Sequence, residues 1–333
     1  DELTYVSLGE GATSQGEFWE SLNTACTLHL PVLYLVADNG YAISVPSSDQ
    51  APAPISELVR GFAGLEVHRL DGTDYMEVRE RGADIISHVR AGVGPALIHA
   101  DVTRPYSHSG ADTQSKYRLP EELAEEAERG PIVRMERELL AAGILDQAGI
   151  DEIHREASDT VAHAAGRALQ ARRPDPATIT EHVVAIPEIP YPAEPPTPAD
   201  DDEPATMGEA ISRCLHELME RDERIRVFGE DVADAREALM ADLEGKGGVF
   251  GTTKGLQRRF GVARCYNTPL AEANIIGRAI GQATRGLRPC PEIQFFDYIW
   301  TAMQQIKTEA ATMRWRSNGR FACPLVIRVP IGG

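Results

Sequence analysis

Apolar positions in the first 119 residues follow two alternating rhythms. Strand-length runs rich in leucine and β-branched residues, "LTYVSL" (3–8), "VLYLVA" (32–37), "EVHRLDG" (66–72) and "ALIHADV" (96–102), are separated by stretches at 16–28 and 74–91. In those stretches apolar residues recur every third or fourth position, the period of an amphipathic helix. Strands alternating with such helices predict right-handed crossovers and a parallel sheet covered on both faces. Residues 120–172, rich in Glu, Ala and Arg, read as helical with breaks at Pro131 and Gly143. A second α/β pattern begins near residue 206. It comprises a helix to 221, a strand in "IRVFGEDV", a glycine-rich loop near 245–255, a strand in "RCYNTP" and a helix over about 270–286. A strand in "CPEIQFF", a helix over 298–314 and a strand in "LVIRVP" complete it.

The fold class expected is therefore α/β, with two doubly wound parallel-sheet domains. Between them runs "PEIPYPAEPPTPADDDEP", whose prolines favour extended backbone and whose acids keep it solvated. This sets the expected boundaries: a first domain over 1–186 with a helical C-terminal extension, a linker over 187–205, and a second domain over 206–333. The chain starts inside a strand at Asp1 and stops after a strand at a glycine turn, as an excerpt of a longer protein would.

Composition narrows the function classes. Of 333 residues, 33 are Lys or Arg and 51 are Asp or Glu, a net charge of −18 that argues against a nucleic-acid or anionic-membrane surface. Apolar runs fall short of the roughly 20 residues a membrane helix needs, and "DELTYV" does not read as the basic start of a signal peptide. The five cysteines, Cys26, Cys214, Cys265, Cys290 and Cys323, are scattered without a Cys-x-x-Cys pair. They suit a reducing compartment better than a disulfide framework or zinc site, so a cytoplasmic location is expected.

The candidate chemistry starts in "LGEGATSQGE" (8–17), where Gly9 and Gly11 flank Glu10 at a strand-to-helix turn. Such a turn binds anions through free N–H groups, so a carboxylate there would repel the ligand unless a cation lay between them. A plain tight turn is the alternative. Asn39 equally suits an ordinary Asn-Gly turn, and Glu272 a helix-start acid favoured by the macrodipole. His108 fits a solvated loop, Glu230 a surface charge, and Tyr298 a buried helix start.

Several motifs in order favour the more specific readings. "GEGATSQGEFWESLNTACTLHLPVLYLVADN" (9–39), "GYAIS" (40–44), "RPYSHSGADTQSKYR" (104–118), "FGEDV" (228–232), "NTPLAE" (267–272) and "EIQFFDYIW" (292–300) span almost the whole chain. Together they resemble the thiamine diphosphate-dependent 2-oxo acid dehydrogenases, with the α and β subunits fused. The likeness is greatest to the branched-chain, 2-oxoisovalerate type. Pyruvate and acetoin dehydrogenases share the layout, and a transketolase-like enzyme shares the turn.

The resemblance implies that Mg²⁺ bridges the cofactor diphosphate to Glu10, Asn39 and the main chain of Tyr41, with Gly9, Gly11 and Ala12 allowing close backbone approach. It makes Glu272 the acid that activates the cofactor's pyrimidine ring, Glu230 a proton relay, His108 a cofactor-contacting residue and Tyr298 a stacking partner. It implies a 2-oxo acid substrate, acyl transfer to a lipoylated acyltransferase partner within a multienzyme complex of branched-chain amino acid catabolism, and a homodimer. Asp38 departs from the paired Asn that usually ends the motif, and Ala37 stands where branched-chain enzymes carry a diphosphate-binding Arg. Because further site residues would lie outside 1–333, a non-catalytic fragment is the alternative reading of this chain.

Overall fold

The computed structural model describes residues 2–185 and 204–331, which fall into two compact units divided after Arg173. Nearly all of the proline-rich linker expected over 187–205 lies outside the described residues.

In the first unit the main strands are β1 (Thr4–Gly9), β2 (Val32–Asp38), β5 (Glu66–Asp71) and β6 (Ala96–Asp101), all parallel, in the order β1-β2-β6-β5. A short hairpin of β3 (Tyr41–Ala42) and β4 (Val45–Pro46) follows β2. Strand β1 feeds α1 (Gly16–Thr27), whose buried face of Phe18, Leu22, Ala25 and Cys26 meets Tyr34, Val36 and Leu97 on one side of the sheet. The short helices α2 (Ser47–Gln50) and α3 (Ile55–Leu58) come next, and Ile55 of α3 closes the same cluster. On the other side, Leu33, Leu70, Ala96 and Ile98 pack on Ile85 and Val89 of α4 (Tyr75–Arg90). Burying a large apolar side chain contributes about 1.5–3 kcal/mol, so both faces must be covered before the central strands are stable. Asp74 caps α4 by accepting the Glu77 N–H at 2.9 Å. The expected breaks appear as α5 (Pro120–Glu128), α6 (Pro131–Ala141) and α7 (Gln147–Gln170).

The second unit begins with α8 (Met207–Arg221), started by a Thr206–Glu209 capping box. Its parallel strands β7 (Ile225–Gly229), β8 (Cys265–Asn267) and β9 (Arg288–Glu292) lie in the order β8-β7-β9. On one face α8 and α9 (Leu256–Phe260) bury Leu215, Met219 and Leu256 against Val227 and Cys290. On the other, α10 (Glu272–Thr284) presents Ile275, Ile276, Ala279 and Ile280 to Phe228 and Ile293.

Two expectations for the end of the chain are corrected. The helix expected over 298–314 is three pieces: a 3-10 segment Phe296–Ala302, a π segment Gln305–Ala310 and α11 (Met313–Arg316). Tight and loose winding offset each other, so Ile299, Ala302, Ile306, Ala310 and Met313 all still reach the core. The strand expected in "LVIRVP" makes only one isolated bridge, Arg328 opposite Glu292. Proline in β9 explains this: the carbonyls of Pro289 and Pro291 accept from Val326 and Arg328, but neither proline has an N–H to return.

Among the described residues, no helix is long and apolar enough to cross a membrane.

Candidate active site

Each unit gathers its chemistry at the carboxyl ends of its strands, the usual ligand position in an open parallel sheet. In the first unit the β1–β2 register sets Gly9 opposite Ala37, so the residues that follow both strands leave the sheet side by side. Glu10 enters a 3-10 turn, Glu10–Ser14, and is only 8% exposed. Its Oε2 accepts from the Asn39 backbone N–H at 3.4 Å and from Asn39 Nδ2 at 3.3 Å. The other amide atom, Asn39 Oδ1, is buried without a partner.

Burial is the main cause that pushes the Glu10 carboxyl above its ordinary range, and the nearby Asp38 charge adds to it. Gly40 turns the chain at φ +82°, and Gly11 lets the hairpin approach, because a Cβ there would sit 2.7 Å from Ala42 Cβ. Gly9 precedes this turn and the exposed Ala12 lies on it. The Tyr41 ring lies under the Arg118 guanidinium, 4.9 Å from its centroid. Two cavities flank the turn. One, of about 400 Å³, is lined by Asn39, Gly40, Tyr41 and Arg118, and the other, of about 330 Å³, by Glu10, Thr13 and Ser47.

The structure also brings His99 and Ser56 to this turn, neither of them part of a motif, and ties them to Asp38. Asp38 Oδ2 lies 2.9 Å from Nε2 of the fully buried His99, whose Nδ1 lies 2.9 Å from Ser56 Oγ. The His99 contact is the largest cause holding the Asp38 carboxyl below its ordinary range. The available signal was a histidine within the apolar run "ALIHADV". A polar residue there must find partners inside the fold.

His108 is exposed on the loop after β6. Its backbone N–H donates to Asp112 Oδ2 at 2.8 Å, and the Tyr117 hydroxyl donates to the same oxygen at 2.7 Å. Arg104 ties this loop to the hairpin, donating to Tyr117 Oη at 2.9 Å and to the Ile43 carbonyl at 2.8 Å. His108 therefore lies on a loop anchored beside the turn, and its ring is not among the groups that meet Glu10 or Asn39.

The second unit joins Glu230, Glu272 and Tyr298. Glu230 follows β7 and Glu272 opens α10, which brings the two carboxyl groups close together, and Glu230 Oε1 is buried without a partner. Thr301 Oγ1 reaches Glu272 Oε2 at 3.2 Å and the Tyr298 carbonyl at 3.0 Å. The half-exposed Tyr298 ring stands edge-on to Phe295 at 6.2 Å. Asn267 Oδ1 fixes the loop after Glu230 by accepting the Val232 and Ala233 N–H groups, each at 2.8 Å.

Burial first, and then the Glu272 charge and hydrogen bond, push the Glu230 carboxyl up to about 7. The folded pair therefore keeps a proton that the unfolded chain has released. This contribution to stability is whole below the ordinary Glu value of 4.5 and is lost as pH rises through about 7. Glu230→Gln is expected to be about 1 kcal/mol more stable than the parent above the upper end of that window, after allowance for solvent screening. Below the window the two should match. Thermal unfolding measured across pH checks this, and a gain independent of pH would contradict it.

Residues 1–177 match the dehydrogenase E1 component model. This chain belongs to the dehydrogenase E1 component family. Residues 203–333 match the transketolase pyrimidine-binding domain, and the two domain types together imply thiamine diphosphate. The chain is 47% identical over 125 residues to the 2-oxoisovalerate dehydrogenase subunit beta of Bacillus subtilis, covering 38% of this chain and 35% of that protein. It is 45% identical over 128 residues to the pyruvate dehydrogenase E1 component subunit beta of Acholeplasma laidlawii, covering 38% of this chain and 36% of that protein. The matched region is thus about a third of the length of these curated relatives. Transketolase from Leishmania mexicana shares the fold, with a TM-score of 0.55 at 16% identity over 94% of this chain and 46% of that one. The two kinds of subunit are similarly distant from this chain.

Proposed function

We propose that this chain supplies the thiamine diphosphate and Mg²⁺ site of a 2-oxo acid dehydrogenase, of the 2-oxoisovalerate type, whose acyl product passes to a lipoylated acyltransferase. The observation that carries this reading is the Glu10–Asn39 pair: a buried carboxylate beside a buried amide oxygen that lacks a partner. Such an oxygen set is costly unless a cation completes it. Among the described residues no three His, Cys, Asp or Glu side chains converge as a metal site. The fit is instead to Mg²⁺, which takes few protein oxygens and shares the remaining positions with phosphate and water. Glu10, Asn39 Oδ1 and the Tyr41 carbonyl would hold it, with backbone near Gly9, Gly11 and Ala12 facing the diphosphate.

When bound, thiamine diphosphate supplies the electron sink for decarboxylation. The chain's own residues position and move protons. Glu272, held by Thr301 and facing Glu230, would hold a proton against a ring nitrogen, and Glu230 would exchange it. Tyr298 offers an aromatic face beside them, and His108 a hydrogen-bond donor on the loop anchored to the hairpin. Two copies of the chain would form the working unit, a homodimer in the cytoplasm.

Calorimetric titration of the chain with thiamine diphosphate and Mg²⁺ tests the site, and absence of binding in saturating Mg²⁺ would remove it. Pyruvate is the second reading, favoured by the similarity to pyruvate dehydrogenase subunits. Decarboxylation of 2-oxoisovalerate and pyruvate by the full-length protein separates the two.

A further inference from the structure

The turn read as the cation seat carries a second carboxylate. Asp38 Oδ1 accepts the Gly40 N–H at 2.8 Å and faces Ser47 Oγ at 3.4 Å, while Oδ2 faces His99 Nε2 at 2.9 Å. Asp38 lines both cavities that flank the turn. Its two oxygens are engaged by the fold and so turned away from direct ligation. Its charge nevertheless stays beside Glu10, because the nearby Arg69 is already held by Asp101 through two bonds of 2.8 and 2.9 Å. At the preceding position, Ala37 supplies no charge.

We infer that Asp38 is an outer carboxylate of the divalent-cation seat: it aims the Asn39–Tyr41 turn through Gly40 and adds a second negative charge that draws the cation. The buried His99–Ser56 pair holds it in that role, fixing the carboxylate close to the cation without letting it displace Asn39 or Tyr41 as a ligand. The seat thereby has two carboxylates, partly offset by the nearby Arg104 guanidinium, where the paired-Asn version has one. The inference rests on Glu10, Asn39 and Tyr41 being the cation ligands.

The test is titration of the full chain with Mn²⁺ in saturating thiamine diphosphate, read by the electron paramagnetic resonance of free Mn²⁺ at low and high ionic strength. Asp38→Asn is isosteric and can still accept the Gly40 N–H. It is expected to bind Mn²⁺ about tenfold more weakly at low salt, with the gap narrowing at high salt, while the unfolding temperature of the free chain falls modestly because the His99 contact that favours the carboxylate is weakened. Asp38→Ser leaves room for a water between Gly40 and His99, and is expected to show the same salt-dependent loss. Wild-type affinity in both variants overturns the inference. So does an equal loss at both salt concentrations, which would make Asp38 purely structural. Glu10→Gln in the same titration separates the two ideas: wild-type affinity there overturns the cation seat itself.

Discussion

Glu10→Gln is expected to abolish Mg²⁺-dependent binding of thiamine diphosphate, weakening it more than about a hundredfold. The size follows from burial. A hydrogen-bonded interaction with a charge is worth roughly 1.5–3 kcal/mol, and more where water is excluded, as it is around this 8% exposed side chain. Glutamine keeps the shape and still offers an oxygen to Asn39, so the β1 and β2 ends should stay together. What goes is the charge a divalent ion needs. Calorimetry in saturating Mg²⁺ measures the loss, while thermal unfolding of the free chain should show no destabilisation, because a buried charge lifted by desolvation has been removed. Retention of parental affinity would mean that the carboxylate faces no cation.

The second large effect is expected at Glu272. Glu272→Gln should lower 2-oxo acid decarboxylation by the full-length protein roughly 10²–10⁴-fold, the usual range for losing a positioned acid or base. Affinity for thiamine diphosphate should stay within a few-fold, because the proposed ligands of the diphosphate and its cation, Glu10, Asn39 and Tyr41, are untouched by the substitution. The split matters: an equal fall in affinity would assign Glu272 to binding, and unchanged turnover would leave it a helix-start acid. Its setting favours a proton-handling role. It sits at the first position of α10, where the helix dipole supports a negative charge, yet faces Glu230, which resists a second one. Burial and the Glu272 charge raise Glu230 to about 7, so Glu230 can carry a proton beside Glu272 near neutral pH.

The parallel strands of both units were legible because their apolar runs are strand-length and punctuated by turns, and α1, α4 and α10 because their apolar faces repeat at helical spacing. Residues 298–314 misled for a related reason. Their core-facing stripe has helical spacing, and spacing alone does not distinguish α from 3-10 or π winding. The broken pairing of 325–330 was implicit in the prolines of "RPCPE", although only the observed strand order shows which partner they fail.

The site divides along the same line. Sequence by itself determined the Gly-Glu-Gly turn, the Asn that closes the following strand, and the acids of "FGEDV" and "NTPLAE", because each is a local motif tied to a strand or helix end. Only the tertiary structure decided that Glu10 and Asn39 share one buried spot and that Glu230 faces Glu272. It alone decided, too, that Asp38 is fastened to His99, 61 positions away, and through it to Ser56. These pairings depend on strand register and on which face each side chain takes, and a partner distant in the chain leaves no periodic trace in the sequence around either residue.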